Sequence, residues 1–124
     1  MTVLLVVLGA AVGAPLRYLA DRAVQRRHSG TFPWGTLTVN VAGSALLGFL
    51  AALPAGPGWT ALAGTGFCGA LTTYSTLGYE TVRLAEEGAG RQAAANVLLS
   101  VAAGLLAAYG GAVLAHAVLA HAVP

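Results

Sequence analysis

The chain has 124 residues, of which 8% are charged and 57% belong to the set AVILMFWYC, and its mean hydropathy is +0.77. Because an ordinary soluble domain carries about 25% charged residues, this composition argues against a soluble enzyme and predicts a protein embedded in lipid. The net charge of +2 comes from scattered arginines without interleaved aromatic residues, which also argues against a nucleic-acid partner.

Four apolar segments are each long enough to cross a bilayer, for which a helix needs about 20 mostly apolar residues. The predicted helices cover about residues 2–20, 34–53, 59–84 and 91–122. They form a single all-α membrane domain over residues 1–124, so the function is expected to lie within the bilayer. Four helices can hardly enclose a solvent path alone, and small residues recur at i, i+4 spacing on the first and last helices. We therefore expect the chain to oligomerise.

All six basic residues are arginines, and they lie in or beside the connections between helices 1 and 2 and between helices 3 and 4. They are Arg17, Arg22, Arg26, Arg27, Arg83 and Arg91. An excess of arginine near short loops marks the cytoplasmic side. The sequence therefore predicts one fixed orientation, with the turn around residues 54–58 and both termini outside.

Asn40 is the strongest polar group inside the second apolar segment, where Thr36, Thr38 and Ser44 accompany it. Polar groups at membrane depth are costly without partners, so their positions indicate where the protein works. An asparagine amide both donates and accepts hydrogen bonds. Asn40 therefore either makes an interhelical hydrogen bond or donates to an ion in a path through the membrane.

The third segment combines Gly64, Gly66 and Gly69 with hydroxyl-bearing residues at every position over 72–76. Glycine lowers helix propensity by about 1 kcal/mol relative to alanine, and nearby hydroxyls can satisfy the backbone groups that a break would free. We therefore predict a break in the third helix. Free carbonyls at such a break would bind a hard cation, and hydroxyl or amide protons would bind an anion.

Residues 64–69 also match the pattern G-x-G-x-x-G of dinucleotide-binding proteins. That fingerprint requires a strand-to-helix turn in a βαβ unit, whereas these glycines lie inside an apolar crossing segment, so we reject the match. Paired carboxylates, a Ser-His-Asp order and a P-loop are also missing from the sequence, and we predict that the protein is not an enzyme.

Four pieces of the sequence resemble a known family. They are Gly13 with Arg17-Tyr18, the stretch 35–48 with Gly-Thr-Leu and Asn-Val-Ala-Gly-Ser, the stretch 66–76 (GFCGALTTYST), and Asn96 with Ser100. Chance similarity between apolar helices would give leucines and alanines, not this order of glycines, hydroxyls and one cysteine. The chain resembles the CrcB/Fluc family of fluoride channels over essentially its full length.

The resemblance implies an antiparallel dimer with two narrow fluoride pores, a bacterial inner-membrane location and a role in lowering intracellular fluoride. It also implies a structural sodium ion held by the backbone carbonyls of Gly69 and Thr72 at the breaks in helix 3. The fluoride path would be lined by Asn40, Tyr74, Ser75, Thr76 and Ser100. Arg17 would lie in the aqueous vestibule, and Glu80 would lie near one pore end.

Two features depart from the family's pattern. The family usually has phenylalanine where this chain has Tyr74 and Leu77, and a leucine cannot present an aromatic ring edge to an anion. A dual-topology homodimer should also carry little charge bias, whereas all the arginines here lie on one side. We therefore hypothesise a heterodimer with an oppositely oriented homologue.

Alternatives remain for one residue and for the whole protein. Glu80 could simply pair with Arg83 at i, i+3 on one helix. The chain could be a small four-helix proton-coupled transporter of the multidrug-resistance type, but such proteins depend on a carboxylate within the first helix, and none precedes Arg17 here. It could also be an assembly subunit, although packing alone does not require the polar content of the third segment.

Overall fold

The computed structural model describes residues 1–54 and 56–122, which are almost entirely helical. Three continuous helices in these residues are long and apolar enough to cross a membrane: α1 (Thr2–Arg26), α2 (Trp34–Ala52) and α6 (Gly90–Ala122). The region between α2 and α6 is a chain of shorter pieces. They are α3 (Pro57–Trp59), a π-helical segment (Thr60–Cys68), α4 (Gly69–Leu71) and α5 (Tyr74–Glu86).

The ends of the helices differ from the predicted bounds mainly in α1, which continues to Arg26 instead of ending near residue 20. The prediction followed the apolar length, whereas the helix continues through the charged residues that follow it. In the connection to α2, Gly30 has φ of +105°, which an α-helix does not allow. Of the predicted turn over 54–58, residue 55 lies outside the described residues, as do residues 123 and 124 of the predicted domain.

The two ends of α5 are fixed by local hydrogen bonds. At its start, the Thr73 side chain accepts a hydrogen bond from the Thr76 N–H and so caps the helix. At its end, the N–H of Gly88 donates to the Ala85 carbonyl, and the N–H of Ala89 donates to the Leu84 carbonyl at 2.8 Å. This paired arrangement is a Schellman motif, and it requires the positive φ of 81° that Gly88 adopts.

Glycines allow the helices to approach closely. In α1, a Cβ on Gly9 or Gly13 would overlap the backbone of the π-helical segment. Between α2 and α6, a Cβ on Gly48 would overlap the Ala108 carbonyl, and a Cβ on Gly111 would overlap the Ala45 carbonyl. The small residues on the first and last helices are therefore used for packing within one protomer.

The buried core is small, and the large apolar side chains point outward. The fully buried side chains include Val39, Cys68, Leu84 and Ala115, whereas residues such as Leu4, Leu98 and Leu106 are more than half exposed. In the most apolar stretch of each of the three long helices, only 6% to 22% of the residues are buried inside the protein. An exterior of this kind is stable in hydrocarbon and not in water, so this is a membrane protein.

The two arginine-bearing connections meet at one end of the helices. The Thr31 hydroxyl, between α1 and α2, donates to Oε1 of Gln92 in α6 at 2.8 Å. A terminal nitrogen of Arg83 in α5 donates to the Thr31 carbonyl at 3.4 Å. All six arginines consequently belong to the same half of the molecule.

Candidate ion site at the interruption between α4 and α5

Helical geometry stops at Leu71 and resumes at Tyr74. The two residues between have extended backbones: Thr72 has φ −82° and ψ 156°, and Thr73 has φ −145° and ψ 120°. An extended pair inside a membrane segment leaves peptide groups without helical partners, and each must find another one. The residues that provide these partners therefore define the candidate site.

The side chain of Asn40 in α2 holds the interruption in place. Its Oδ1 accepts from the Thr73 N–H at 2.7 Å, and its Nδ2 donates to the Thr73 carbonyl at 3.0 Å. The amide thus satisfies both backbone groups of one residue, as a neighbouring strand would. Of the two alternatives for Asn40, the interhelical hydrogen bond is present, and the second N–H of its Nδ2 remains as a further donor.

The Thr73 hydroxyl organises the first turn of α5. It accepts from the Thr76 N–H at 3.2 Å and donates to the Thr76 hydroxyl oxygen at 3.0 Å, while the Ser75 hydroxyl lies 3.5 Å away. Because the Thr76 oxygen accepts here, its own proton is available to another acceptor. The interruption therefore gathers hydroxyl groups beside the Asn40 amide, without a charged side chain among them.

The interruption also frees backbone carbonyls, among them those of Gly69 and Thr72. In a continuous α-helix, the Gly69 carbonyl would accept from the N–H of Thr73, which donates to Asn40 instead. The Thr72 carbonyl would accept from the N–H of Thr76, which donates to the Thr73 side chain. These are the two carbonyls for which the family resemblance implies a sodium ion. Gly69 lies at the protomer surface, so these oxygens are not enclosed by one chain.

A shallow cavity of about 210 Å³ opens at the interruption. It is lined by Asn40, Ser44, Leu47, Thr72, Thr73, Tyr74 and Leu77. Tyr74 is 89% exposed on the protomer, so its ring borders the cavity while most of its surface makes no contact within this chain. The structure therefore brings Asn40, Thr72 and Tyr74 of the predicted site together, with Ser75 and Thr76 adjacent through Thr73.

Ser100 lies apart from this cavity, on the buried face of α6. One turn before it, the fully buried Asn96 donates from Nδ2 to the Thr81 hydroxyl of α5 at 3.0 Å. Within the described residues, Oδ1 of Asn96 and the Ser100 hydroxyl are buried without a hydrogen-bond partner. Polar atoms in this state need a ligand or water, so α6 contributes unsatisfied polar groups of its own.

Glu80 takes part in a contact between helices and not in the local pair with Arg83. Its Oε1 accepts from the buried Thr36 hydroxyl of α2, whereas Arg83 lies 4.0 Å from Glu87. Glu80 also faces a polar cavity of about 400 Å³ at the end of the molecule that carries the arginines. Arg17 is half-buried on α1 and does not line either of these two cavities.

Three residues that the sequence reasoning did not place in the site are Thr36, Thr73 and Thr81. Thr36 lies one helical turn before Asn40, so its i, i+4 spacing marks it as a member of the same α2 face. Thr73 lies inside the predicted run of hydroxyls, but only the extended backbone turns it into a cap. Nothing in the sequence distinguishes Thr81, whose role depends on how α5 packs on α6.

These features define a helical membrane protein in which the region between α2 and α6 is interrupted at a cluster of amide, hydroxyl and carbonyl groups. The chain belongs to the family described as "CrcB-like protein, Camphor Resistance (CrcB)", whose model matches residues 4–112.

Several named relatives are similar over most of their length. The chain is 61% identical to Fluoride-specific ion channel FluC 1 of Frankia casuarinae, over 95% of this chain and 98% of the relative. It is 57% identical to FluC 1 of Streptomyces avermitilis, over 97% and 100% of the two chains. It is 53% identical to FluC 2 of Mycobacterium tuberculosis, over 83% and 82%.

Proposed function

We propose that this chain forms a fluoride-selective channel, and that fluoride leaves the cytoplasm through it down its electrochemical gradient. The observation that carries the proposal is the interruption at Thr72 and Thr73, where Asn40 and the hydroxyls of Ser75 and Thr76 gather without a fixed positive charge. The names of the relatives at 53% to 61% identity support the same ion.

The chemistry of the ion explains why such groups suit a fluoride path. Fluoride is small and strongly hydrated, so a dry path must replace its water shell with several hydrogen-bond donors at once. Hydroxyls and amides provide those donors while the ion stays mobile, whereas a cationic side chain in the narrow part would bind it too tightly. In our proposal Asn40, Tyr74, Ser75, Thr76 and Ser100 line the path.

The two ends of the path use charged residues. Arg17, near the end of the apolar part of α1, would raise the local concentration of anions in the vestibule. Glu80, held by Thr36, would lie near one pore end.

A structural sodium ion fits the residues present. Sodium prefers oxygen ligands, and the interruption frees the carbonyls of Gly69 and Thr72 from their helical partners. Since Gly69 lies at the protomer surface, we propose that two chains meet there and each contributes these oxygens. The ion would supply fixed positive charge between the chains, while the path residues of each chain bind fluoride.

We further propose that the assembly is an antiparallel dimer in the bacterial inner membrane and that its second member is a homologue inserted the opposite way. The position of all six arginines in one half of the molecule supports a single orientation for this chain. Reporter fusions at the C-terminus test this directly. We expect one orientation, and equal populations of both would contradict the heterodimer.

The channel function is tested by ion efflux from proteoliposomes that contain the protein, alone and with its homologous partner. We expect selective fluoride efflux with chloride at the level of empty vesicles, and weaker efflux from this chain alone. Thr76→Val, which removes a path hydroxyl, should reduce fluoride efflux at least tenfold. Thr38→Val is the matched control, because Thr38 is exposed and its hydroxyl donates to the Trp34 carbonyl of its own helix. Vesicles that retain fluoride as well as empty ones, with the partner present, would refute the proposal.

A further inference from the structure

Four exposed arginines form one surface, here called the arginine face: Arg22, Arg26, Arg27 and Arg91. The continuation of α1 to Arg26 places Arg22 and Arg26 one turn apart on the same side of that helix. Arg91 belongs to the first turn of α6. The hydrogen bond between Thr31 and Gln92 joins the two connections, so the arginines of both lie at one end of the protein.

The carboxylates of the same end neutralise this face only in part. The carboxylate of Asp21 packs against the backbone of Gly35. Glu80 accepts from Thr36, and Glu87 forms with Arg83 the one ion pair found among the described residues. Asp21, Glu80 and Glu87 line one cavity with Arg22, but no carboxylate forms an ion pair with an arginine of this face in the part of the chain that the structure describes. Since six arginines outnumber the four carboxylates, this end keeps a net positive charge.

The arginine face lies at the depth of lipid headgroups. The Tyr18 hydroxyl accepts from Arg22 at 2.9 Å, with the guanidinium carbon 5.7 Å from the ring centroid. Trp34, at the start of α2, packs on Phe32 with ring centroids 4.6 Å apart. Tyrosine and tryptophan concentrate at the boundary between headgroups and hydrocarbon, so these rings mark that boundary just below the arginines.

The same side of α1 continues directly into an apolar surface. Leu19, one turn before Arg22, is 62% exposed, and Leu16 is also exposed. A ligand that contacts both surfaces would carry an anionic group beside an acyl chain. We propose that the arginine face binds the phosphate groups of anionic phospholipids, while their acyl chains pack on the adjoining leucines. Arginine suits this role because its planar donors can bind two phosphate oxygens at once.

The proposal is tested by titrating the purified, folded protein with phosphatidylglycerol or phosphatidylcholine and counting bound lipids by native mass spectrometry. We expect phosphatidylglycerol to bind at least tenfold more tightly, and its binding to weaken with salt. Each exposed arginine near an anionic surface contributes a factor of about five. Arg26→Gln and Arg91→Gln should therefore each weaken binding about fivefold.

Arg83→Gln is the matched control, because it removes the same charge from the same end while Arg83 is already engaged by Glu87 and Thr31. We expect less than a twofold change for it, and Arg26→Lys should recover part of the lost affinity. Equal binding of the two lipids, an equal loss in the Arg83 variant, or displacement of the lipid by millimolar inorganic phosphate would each overturn the proposal. Thermal unfolding of every variant without lipid verifies that the fold is intact.

Discussion

Replacing Asn40 with alanine should destabilise the interruption at Thr72 and Thr73 even when no ion is transported. The change removes two hydrogen bonds and leaves the N–H and carbonyl of Thr73 without partners. Interhelical hydrogen bonds in membranes average about 0.6 kcal/mol, and an unsatisfied buried backbone group costs about 1 to 3 kcal/mol. Because two such groups are affected, we expect Asn40→Ala to reduce the free energy of unfolding by about 2 to 6 kcal/mol.

Amide hydrogen exchange distinguishes this positioning role from a purely ion-binding one. In Asn40→Ala, the Thr73 amide should exchange faster by at least tenfold in fluoride-free detergent solution, where no ion is transported. Ser44→Ala is the matched control, since Ser44 lies one turn further along α2 and lines the same cavity. If exchange at Thr73 and the unfolding temperature stayed the same in Asn40→Ala while fluoride efflux was lost, Asn40 would act on the ion alone and our reasoning about the interruption would be wrong.

Two further predictions follow from the same region. Gly43→Ala should lower the free energy of unfolding by about 1 to 3 kcal/mol, because its new methyl group would overlap the side chain of Thr72. Gly110→Ala is the control and should not lower it, because a methyl group at that position meets no atom within 4 Å. Thermal unfolding of the two variants measures the difference, and equal losses would contradict the predicted close contact. Leu77→Phe should increase fluoride efflux severalfold, because a ring edge would then face the cavity beside Tyr74; unchanged efflux from vesicles would count against a ring-edge contribution at this position.

The sequence predicted the membrane class and the polar stretches because these depend on composition and spacing. An apolar run of sufficient length has few stable alternatives to a membrane helix. The bounds of α2 and α6 were predicted to within a residue or so for the same reason. The end of α1 was not, because the apolar length of a segment does not determine where a helix with charged residues stops.

The partners of individual side chains could not be predicted from the sequence. Asn40 and Thr73 are separated by 33 positions in the chain, and their two hydrogen bonds depend on how α2 packs against the interruption. The contact between Thr36 and Glu80 spans 44 positions, while the local alternative with Arg83 was equally compatible with the spacing. Side-chain pairing between helices depends on rotation and depth, which a pattern on one helix does not specify.

The π-helical segment over Thr60–Cys68 has a consequence for the rotation of everything that follows it. Its wider turns hold more residues per turn than an α-helix does, so each residue rotates the chain by less than the α-helical angle of about 100°. If the same residues wound as an α-helix, everything downstream would be rotated about the helix axis. Thr73 would then face away from α2, and the Asn40 side-chain amide could no longer form hydrogen bonds with the Thr73 backbone. The π-helical winding therefore sets the rotation of Thr73 about the helix axis, and the candidate ion site depends on that rotation.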